Sequence, residues 1–219
     1  VVKNVFVTGN TVIDAFKTTV RKDYQYKNEQ LRNENMEGRR VVLVTAHRRE
    51  NLGEPLENIC RAIAELSEAY PDVHFVYPVH LSPYVRETAE KFLGGNNRIH
   101  LIHPLAVDEM HNLMARCHLV MTDSGGLQEE APALGKPVLV LRRETERPEA
   151  VAASTVKLAG VEEEDIFSMA RGLLTDPRAY AAMAHAVNPY GDGLACRRIA
   201  DAIEWKFGLR AERPEEFRT

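Results

Sequence analysis

The chain has 219 residues, of which 44% are apolar, and its formal net charge at pH 7 is −4. This size allows one sizeable hydrophobic core, and the absence of a long run of one charge sign argues against nucleic acid or a membrane surface as a partner. The three cysteines lack CxxC spacing. No export signal and no apolar run of about 18 residues is seen, so we expect a reduced cytoplasmic protein.

The chain opens on VVKNVFVTGNTVIDAF, an apolar strand-like run without a polar lead-in. This opening favours a piece of a longer protein. We predict that residues 1–40 form a linker segment made of a strand remnant, a helix from about Thr11 and a solvated connector. Residues 41–208 form the main domain, and residues 209–219, LRAERPEEFRT, form a flexible tail because few of them are apolar.

Short apolar runs predict strands at residues 41–45, 74–79, 99–102, 119–122, 138–141 and 155–158. Helix-period segments separate most of them, a pattern typical of an α/β fold with a Rossmann-like parallel sheet and helices on both faces. Ser82-Pro83 and Asp176-Pro177 predict helix starts. Such sheets bind ligands at the carboxyl ends of their strands.

Two further helices have a predicted inner face. The helix after the first strand carries apolar side chains at helical spacing, namely Leu56, Ile59, Cys60, Ile63 and Leu66. The last helix, at about residues 193–207, is predicted to turn Ile199, Ala202 and Ile203 inward.

The segment TDSGGLQEE after the fourth strand is typical of an anion site. Ser124 and its neighbours offer N-caps, and Gly125 and Gly126 allow backbone N–H groups to approach a diphosphate closely. Glu129 and Glu130 lie one turn into the helix, at a distance that suits ribose hydroxyls. The alternative is an ordinary strand-to-helix turn in which Ser124 is only a cap.

Polar loops follow other strands at the same predicted edge. Arg48 after the first strand could bind phosphate, and His47 could donate to it or carry a proton; the alternative is a surface salt-bridge cluster. His80 follows the second strand and is expected beside this loop. Arg147 could complement a pyrophosphate, with Thr145 as a possible helix cap.

Several other chemistries lack a motif. Leu105 and Met110 could wall a flat base pocket or could belong to the core. The other histidines lack metal-ligand spacing, and the GDG at Gly191 lacks the strand and third glycine of a dinucleotide fingerprint. No GxxxxGK[ST] or GxSxG occurs, so an ATPase or serine hydrolase has no support.

Four segments in order, VTAHRRENLGEP, YPVHLSP, TDSGGLQEEAPALGKPVLVLRRETERPEAV and NPYGDGLACRRI, resemble the non-hydrolysing UDP-N-acetylglucosamine 2-epimerases. The resemblance spans residues 7–207, approximately. It implies a glycosyltransferase-B-like fold of two Rossmann-like halves that close on a UDP-sugar. This chain is similar to the carboxyl-terminal half, so the amino-terminal half is expected to be missing.

The resemblance also implies roles for individual residues. Ser124, Gly125 and Gly126 would bind the diphosphate, Glu130 the ribose and Arg147 a further part of the substrate. His47 would be an active-site residue near the diphosphate. The uracil pocket would be lined by Leu105 and Met110, and a second, regulatory UDP-GlcNAc in some bacterial members would lie at Arg48 and His80.

The family reaction implied is the interconversion of UDP-GlcNAc and UDP-ManNAc by loss and return of UDP, without a metal or cofactor. The proton-handling carboxylates would lie in the other half, so Glu50, Glu129 and Glu146 are not assigned to that task. The chain alone is expected to bind UDP weakly and to be inactive, and the intact enzyme to be a homodimer that supplies ManNAc for a polysaccharide. The alternatives are a UDP-sugar-dependent glycosyltransferase domain and a non-catalytic nucleotide-sugar-binding module.

Overall fold

The computed structural model describes residues 4–33 and 38–218, and within them the chain builds a parallel sheet of six strands. The strands are β1 Arg40–Thr45, β2 Val73–Pro78, β3 Ile99–Ile102, β4 Leu119–Thr122, β5 Val138–Val140 and β6 Val156–Leu158. Each predicted run forms a strand, and every end lies within one residue of its predicted position. The predicted Rossmann-like α/β fold is therefore confirmed.

The helices connect these strands and cover the sheet. They are α1 Thr11–Thr19, α2 Glu29–Asn33, α3 Glu54–Ala69, α4 Pro83–Leu93, α5 Val107–Arg116, α6 Gly125–Ala133, α7 Pro148–Ala152, α8 Glu163–Thr175, α9 Pro177–Ala184 and α10 Ala195–Lys206. α4 and α9 begin on the predicted prolines. The Asp176 carboxylate caps α9 by accepting from the Arg178 amide.

The strand order is β3-β2-β1-β4-β5-β6, so the sheet is built outward in both directions from β1 and β4. The loops after these two strands therefore diverge, and a crevice opens between them at the carboxyl edge. At this edge Thr45 of β1 is in register with Thr122 of β4, and their hydroxyl oxygens are 2.5 Å apart.

The sheet separates two hydrophobic clusters because successive side chains of a strand point to opposite faces. In β1, Val42 and Val44 belong to the cluster under α3, α4 and α8, whereas Val41 and Leu43 belong to the cluster under α1 and α5. The predicted inner face of α3 is confirmed, since its apolar side chains are at most 1% exposed.

The inward orientation predicted for the last helix is wrong at two positions. Ile199 is 37% and Ile203 54% exposed. The reason is that α10 packs beside α1 and the amino-terminal segment, away from the sheet. Asp14 of α1 accepts from the first amides of α10, and Phe6 meets Trp205 edge to face at 5.7 Å.

The connector predicted after α1 is mostly exposed over residues 21–32, but it is attached to the rest of the domain. Polar groups of this segment bind α5: Tyr24 Oη donates to Asp108 at 2.7 Å, and the Asn28 amide donates to Glu109 at 2.7 Å. Leu31 of α2 is only 3% exposed. Polar contacts to α5 and the buried Leu31 thus hold the segment in place, and residues 34–37 lie outside the described part.

The carboxyl-terminal segment lies against the start of the chain. The Phe217 amide donates to the Val7 carbonyl at 2.7 Å, and the Arg213 guanidinium lies 4.9 Å from the centre of the Phe6 ring. The domain limits at residues 40 and 208 stay a prediction.

Candidate functional site

The turn between β4 and α6 presents free backbone donors to the crevice. Ser124 occupies the N-cap position with extended backbone, but its side chain makes no capping hydrogen bond. Its own amide donates to the Thr122 hydroxyl at 2.9 Å. The first amides of a helix have no acceptor within the helix, so those of Gly125 and Gly126 are available to an anion.

Gly125 is required here by a close approach of side chains. A Cβ atom on this residue would lie 2.6 Å from Oε1 of Glu146, and one on Gly126 would lie 3.2 Å from Oε1 of Glu130. Two carboxylates therefore border the amino end of α6. The glycines leave the space that a ligand or these side chains need.

Asp123, predicted only as one of several N-caps, holds the loop that follows β1. Its buried Oδ2 accepts from the amides of His47 and Arg48, both at 2.7 Å, and from Asn51 Nδ2 at 3.2 Å. Asn51 is 2% exposed and also donates to the Leu141 carbonyl at 2.9 Å. The Asp123 carboxylate thus joins the loops after β1 and β4, and Asn51 links them to Leu141, which follows β5.

His47 and His80 come together as predicted. Their rings stack with centroids 5.2 Å apart and an interplanar angle of 6°. His47 Nδ1 lies 3.6 Å from Oδ1 of Asp123, and its side chain is 39% exposed. Nδ1 of His80 accepts from the Ser82 amide at 3.1 Å.

Arg48, predicted to bind phosphate, is paired with a carboxylate, and so is the neighbouring Arg142. Arg48 contacts Glu146 at 3.0 Å; Arg142 contacts the same carboxylate and also Glu50 at 3.0 Å. Burial would raise the pKa of the Glu146 carboxyl, but its backbone hydrogen bond and the two guanidiniums outweigh burial and lower it. The salt-bridge alternative for the loop after β1 is therefore realised at Arg48, within reach of the Gly125 amide.

Arg147 is the N-cap residue of α7 and lies beside α6. Its Nε contacts Glu129, whose other oxygen is bound by Asn10, and the hydrogen bond to Glu129 raises the pKa of Arg147. Thr145 is not the predicted helix cap, because Arg147 occupies the N-cap position of α7 and no side chain caps that helix. The Thr145 hydroxyl instead accepts from the Arg147 amide at 3.1 Å, before the helix begins. The same hydroxyl donates to the buried Gln128 of α6 at 2.6 Å.

Glu130 is oriented by a histidine that the sequence analysis did not single out. Its Oε2 lies 3.4 Å from Nε2 of His111, which is 2% exposed and whose Nδ1 is 2.8 Å from the Thr19 hydroxyl. Leu105 and Met110, by contrast, are half-buried against the cluster under α1 and α5. Their place in that cluster agrees with the core interpretation and leaves part of each side chain at the surface.

The described residues contain no group of three or more His, Cys, Asp or Glu side chains that could hold a metal ion. Nor is any helix within residues 4–33 and 38–218 long and apolar enough to cross a membrane.

A family model and individual relatives both match this chain, and they name the same family. The family model described as UDP-N-acetylglucosamine 2-epimerase matches residues 2–204. The chain is 54% identical to the UDP-N-acetylglucosamine 2-epimerase of Bacillus subtilis over 98% of its own length, but covers 55% of that relative. The chain thus spans about half the length of such curated relatives.

Two solved structures resemble this chain closely. The structure of Staphylococcus aureus MnaA with UDP has a TM-score of 0.91 and 46% identity, and the match covers 99% of this chain and 58% of that one. The Neisseria meningitidis UDP-GlcNAc 2-epimerase bound to UDP-GlcNAc has a TM-score of 0.80 and 45% identity, covering 90% of this chain and 54% of the other. The chain therefore belongs to the UDP-N-acetylglucosamine 2-epimerase family.

Proposed function

We propose that this chain forms the UDP-binding part of an enzyme that interconverts UDP-GlcNAc and UDP-ManNAc. The observation that carries the proposal is the convergence of the Gly125 and Gly126 amides with His47 and Arg48 at the switch point of the sheet. These groups suit a diphosphate, which needs several donors directed at its oxygens. The printed ligands of the two solved relatives, UDP and UDP-GlcNAc, support the same assignment.

In the proposed reaction the bond between C1 of the sugar and the diphosphate breaks while a base removes the proton at C2. UDP then adds back, and C2 receives a proton on its opposite face. Charge develops on the departing diphosphate, so donors fixed in advance lower the barrier. The turn amides and His47 would supply that stabilisation, with Ser124 beside them. The base is not assigned to any residue of this chain.

Neighbouring residues would bind the rest of the nucleotide. Glu130, held toward the amino end of α6 by His111, is placed to accept from ribose hydroxyls. The exposed parts of Leu105 and Met110 would contact uracil, and Arg147 would contact the substrate from the flank of α6. His80 and the neighbouring Arg48 would bind a second, regulatory molecule of UDP-GlcNAc.

Binding by this chain alone is expected to be weak, and turnover absent, because half of a cleft neither excludes water nor orients the sugar. We propose that an amino-terminal half completes the enzyme, which acts as a cytoplasmic homodimer supplying ManNAc units for a polysaccharide.

Calorimetry with UDP tests the binding proposal. Gly125→Ala places a methyl group 2.6 Å from Glu146 Oε1 and narrows the approach to the amides, so we expect UDP binding to weaken at least about tenfold, roughly 1.4 kcal/mol. Gly172→Ala is the matched control, since its added Cβ in α8 meets nothing within 4 Å. Absence of heat with millimolar UDP, or equal weakening by both variants, would contradict the proposal.

The reaction is tested in the complete protein. Incubation with UDP-GlcNAc alone in heavy water is expected to place deuterium at C2 without any acceptor. A glycosyltransferase would leave C2 unlabelled and require an acceptor, whereas a non-catalytic module would bind UDP-GlcNAc and leave it unchanged.

A further inference from the structure

The two oxygens of the Asp123 carboxylate have different surroundings. The side chain is fully buried. Oδ2 accepts three N–H groups from the loop after β1, but Oδ1 has no hydrogen-bond donor among the described residues. The group that faces Oδ1 is Nδ1 of His47, at 3.6 Å.

A distance of 3.6 Å is too long for a hydrogen bond, but a small movement of the His47 ring would bring Nδ1 within hydrogen-bond distance of Oδ1. A buried carboxylate oxygen that lacks a donor costs free energy, and a proton on Nδ1 of His47 would supply the donor. The ring can move to close the gap because it is partly exposed, whereas its backbone is held in place by Oδ2 of the same carboxylate.

The stacked neighbour does not compete for the Oδ1 oxygen. The His80 ring lies parallel to that of His47, with centroids 5.2 Å apart, and its Nδ1 accepts from the Ser82 amide. His47 is thus the histidine of this pair that faces Asp123.

We propose that Asp123 is a positioning residue that keeps a proton on Nδ1 of His47 and thereby turns Nε2 toward the crevice. Nε2 is then the ring atom that meets the ligand, and it donates to an oxyanion when it too is protonated. The role of Nε2 rests on the proposed function, since it needs a diphosphate in the crevice. The tautomer of His47 does not, because Asp123 fixes it in the free chain.

The tautomer can be read by long-range ¹H–¹⁵N NMR on histidine-labelled chain at about pH 9, where an ordinary histidine of pKa about 6.5 is neutral. His47→Gln assigns the signal. We expect the proton on Nδ1 in the unmodified chain. A dominant proton on Nε2 would overturn the proposal, whether or not the chain binds UDP.

Asp123→Asn provides the discriminating variant. Its single oxygen would take the place of Oδ2 and keep the three loop hydrogen bonds, which puts the NH₂ group opposite Nδ1. A donor at that position forces Nδ1 to accept, so we expect the proton to move to Nε2. An unchanged tautomer in this variant would contradict the proposal.

Asn51→Ala is the control, because it removes one donor from Oδ2 and leaves Oδ1 and His47 in place. The tautomer is expected to remain that of the unmodified chain, and a switch here would show that loop disturbance alone moves the proton. If Asp123→Asn does not fold, the tautomer of the unmodified chain still decides. If the unmodified chain carries the proton on Nδ1 but does not bind UDP, that result would count against the proposed function and not against the role of Asp123.

Discussion

Replacing Asp123 by alanine should destabilise the whole domain, although the residue lies at the edge of the sheet. The substitution strands two backbone amides and the Asn51 amide in a buried site. A hydrogen bond to a charged group contributes about 1.5–3 kcal/mol. The three do not add fully, because removing the carboxylate also removes its own desolvation cost, so we expect a loss of about 3–5 kcal/mol.

This loss is a large fraction of the roughly 5–15 kcal/mol that stabilises a typical domain. Urea unfolding followed by circular dichroism measures it, with exposed Asp23→Ala as the control expected to stay within about 0.5 kcal/mol. Asp123→Asn should lose less than the alanine variant because it keeps an acceptor for the loop. A loss below about 1 kcal/mol for Asp123→Ala would refute the buried network as described.

Two further predictions concern ionisation. Hydrogen bonds from Arg198 hold the pKa of Asp192 at about 2, below its ordinary 3.8, so the pair stabilises the fold above pH 4 and this contribution is lost as the pH falls toward 2. Because Asp192 is 41% exposed, we expect less than about 1 kcal/mol. NMR titration should show the pKa returning toward 3.8 in Arg198→Ala, and an unchanged value would contradict the pairing. Burial raises the pKa of Cys60 and Cys117 to about 12, so at pH 8 a maleimide should label exposed Cys196 alone, and Cys196→Ser should abolish labelling of the folded chain. Rapid reaction of a second thiol would show that one of the two is not buried.

The strands and the edge that carries the site could be predicted because each depends on local pattern. Continuous apolar runs such as that of β4 identify buried parallel strands, and the carboxyl-edge rule then places the loops containing His47, His80 and Ser124 together. The stacking of His47 on His80 confirms that expectation.

The pairings within the site could not be predicted, because they join residues far apart in the chain. The sequence around Asp123 predicts a helix cap, and only the register of β1 with β4 brings its carboxylate within hydrogen-bond distance of the His47 amide. In the sequence Glu146 is one of several acidic residues in a charged loop, and only the fold brings it into contact with Arg48. The exposed face of α10 could not be predicted for a related reason: helical periodicity shows which residues share a side of the helix but not which side a neighbouring element covers.

The pairing of Arg48 and Arg142 with Glu146 and Glu50 bears on how a nucleotide reaches the crevice. Guanidiniums already neutralised by carboxylates generate little field beyond a Debye length of about 8 Å at physiological salt. Long-range attraction therefore adds little to the association rate of a diphosphate. When the diphosphate binds these guanidiniums, it takes the place of a carboxylate. The association rate should accordingly depend only weakly on ionic strength.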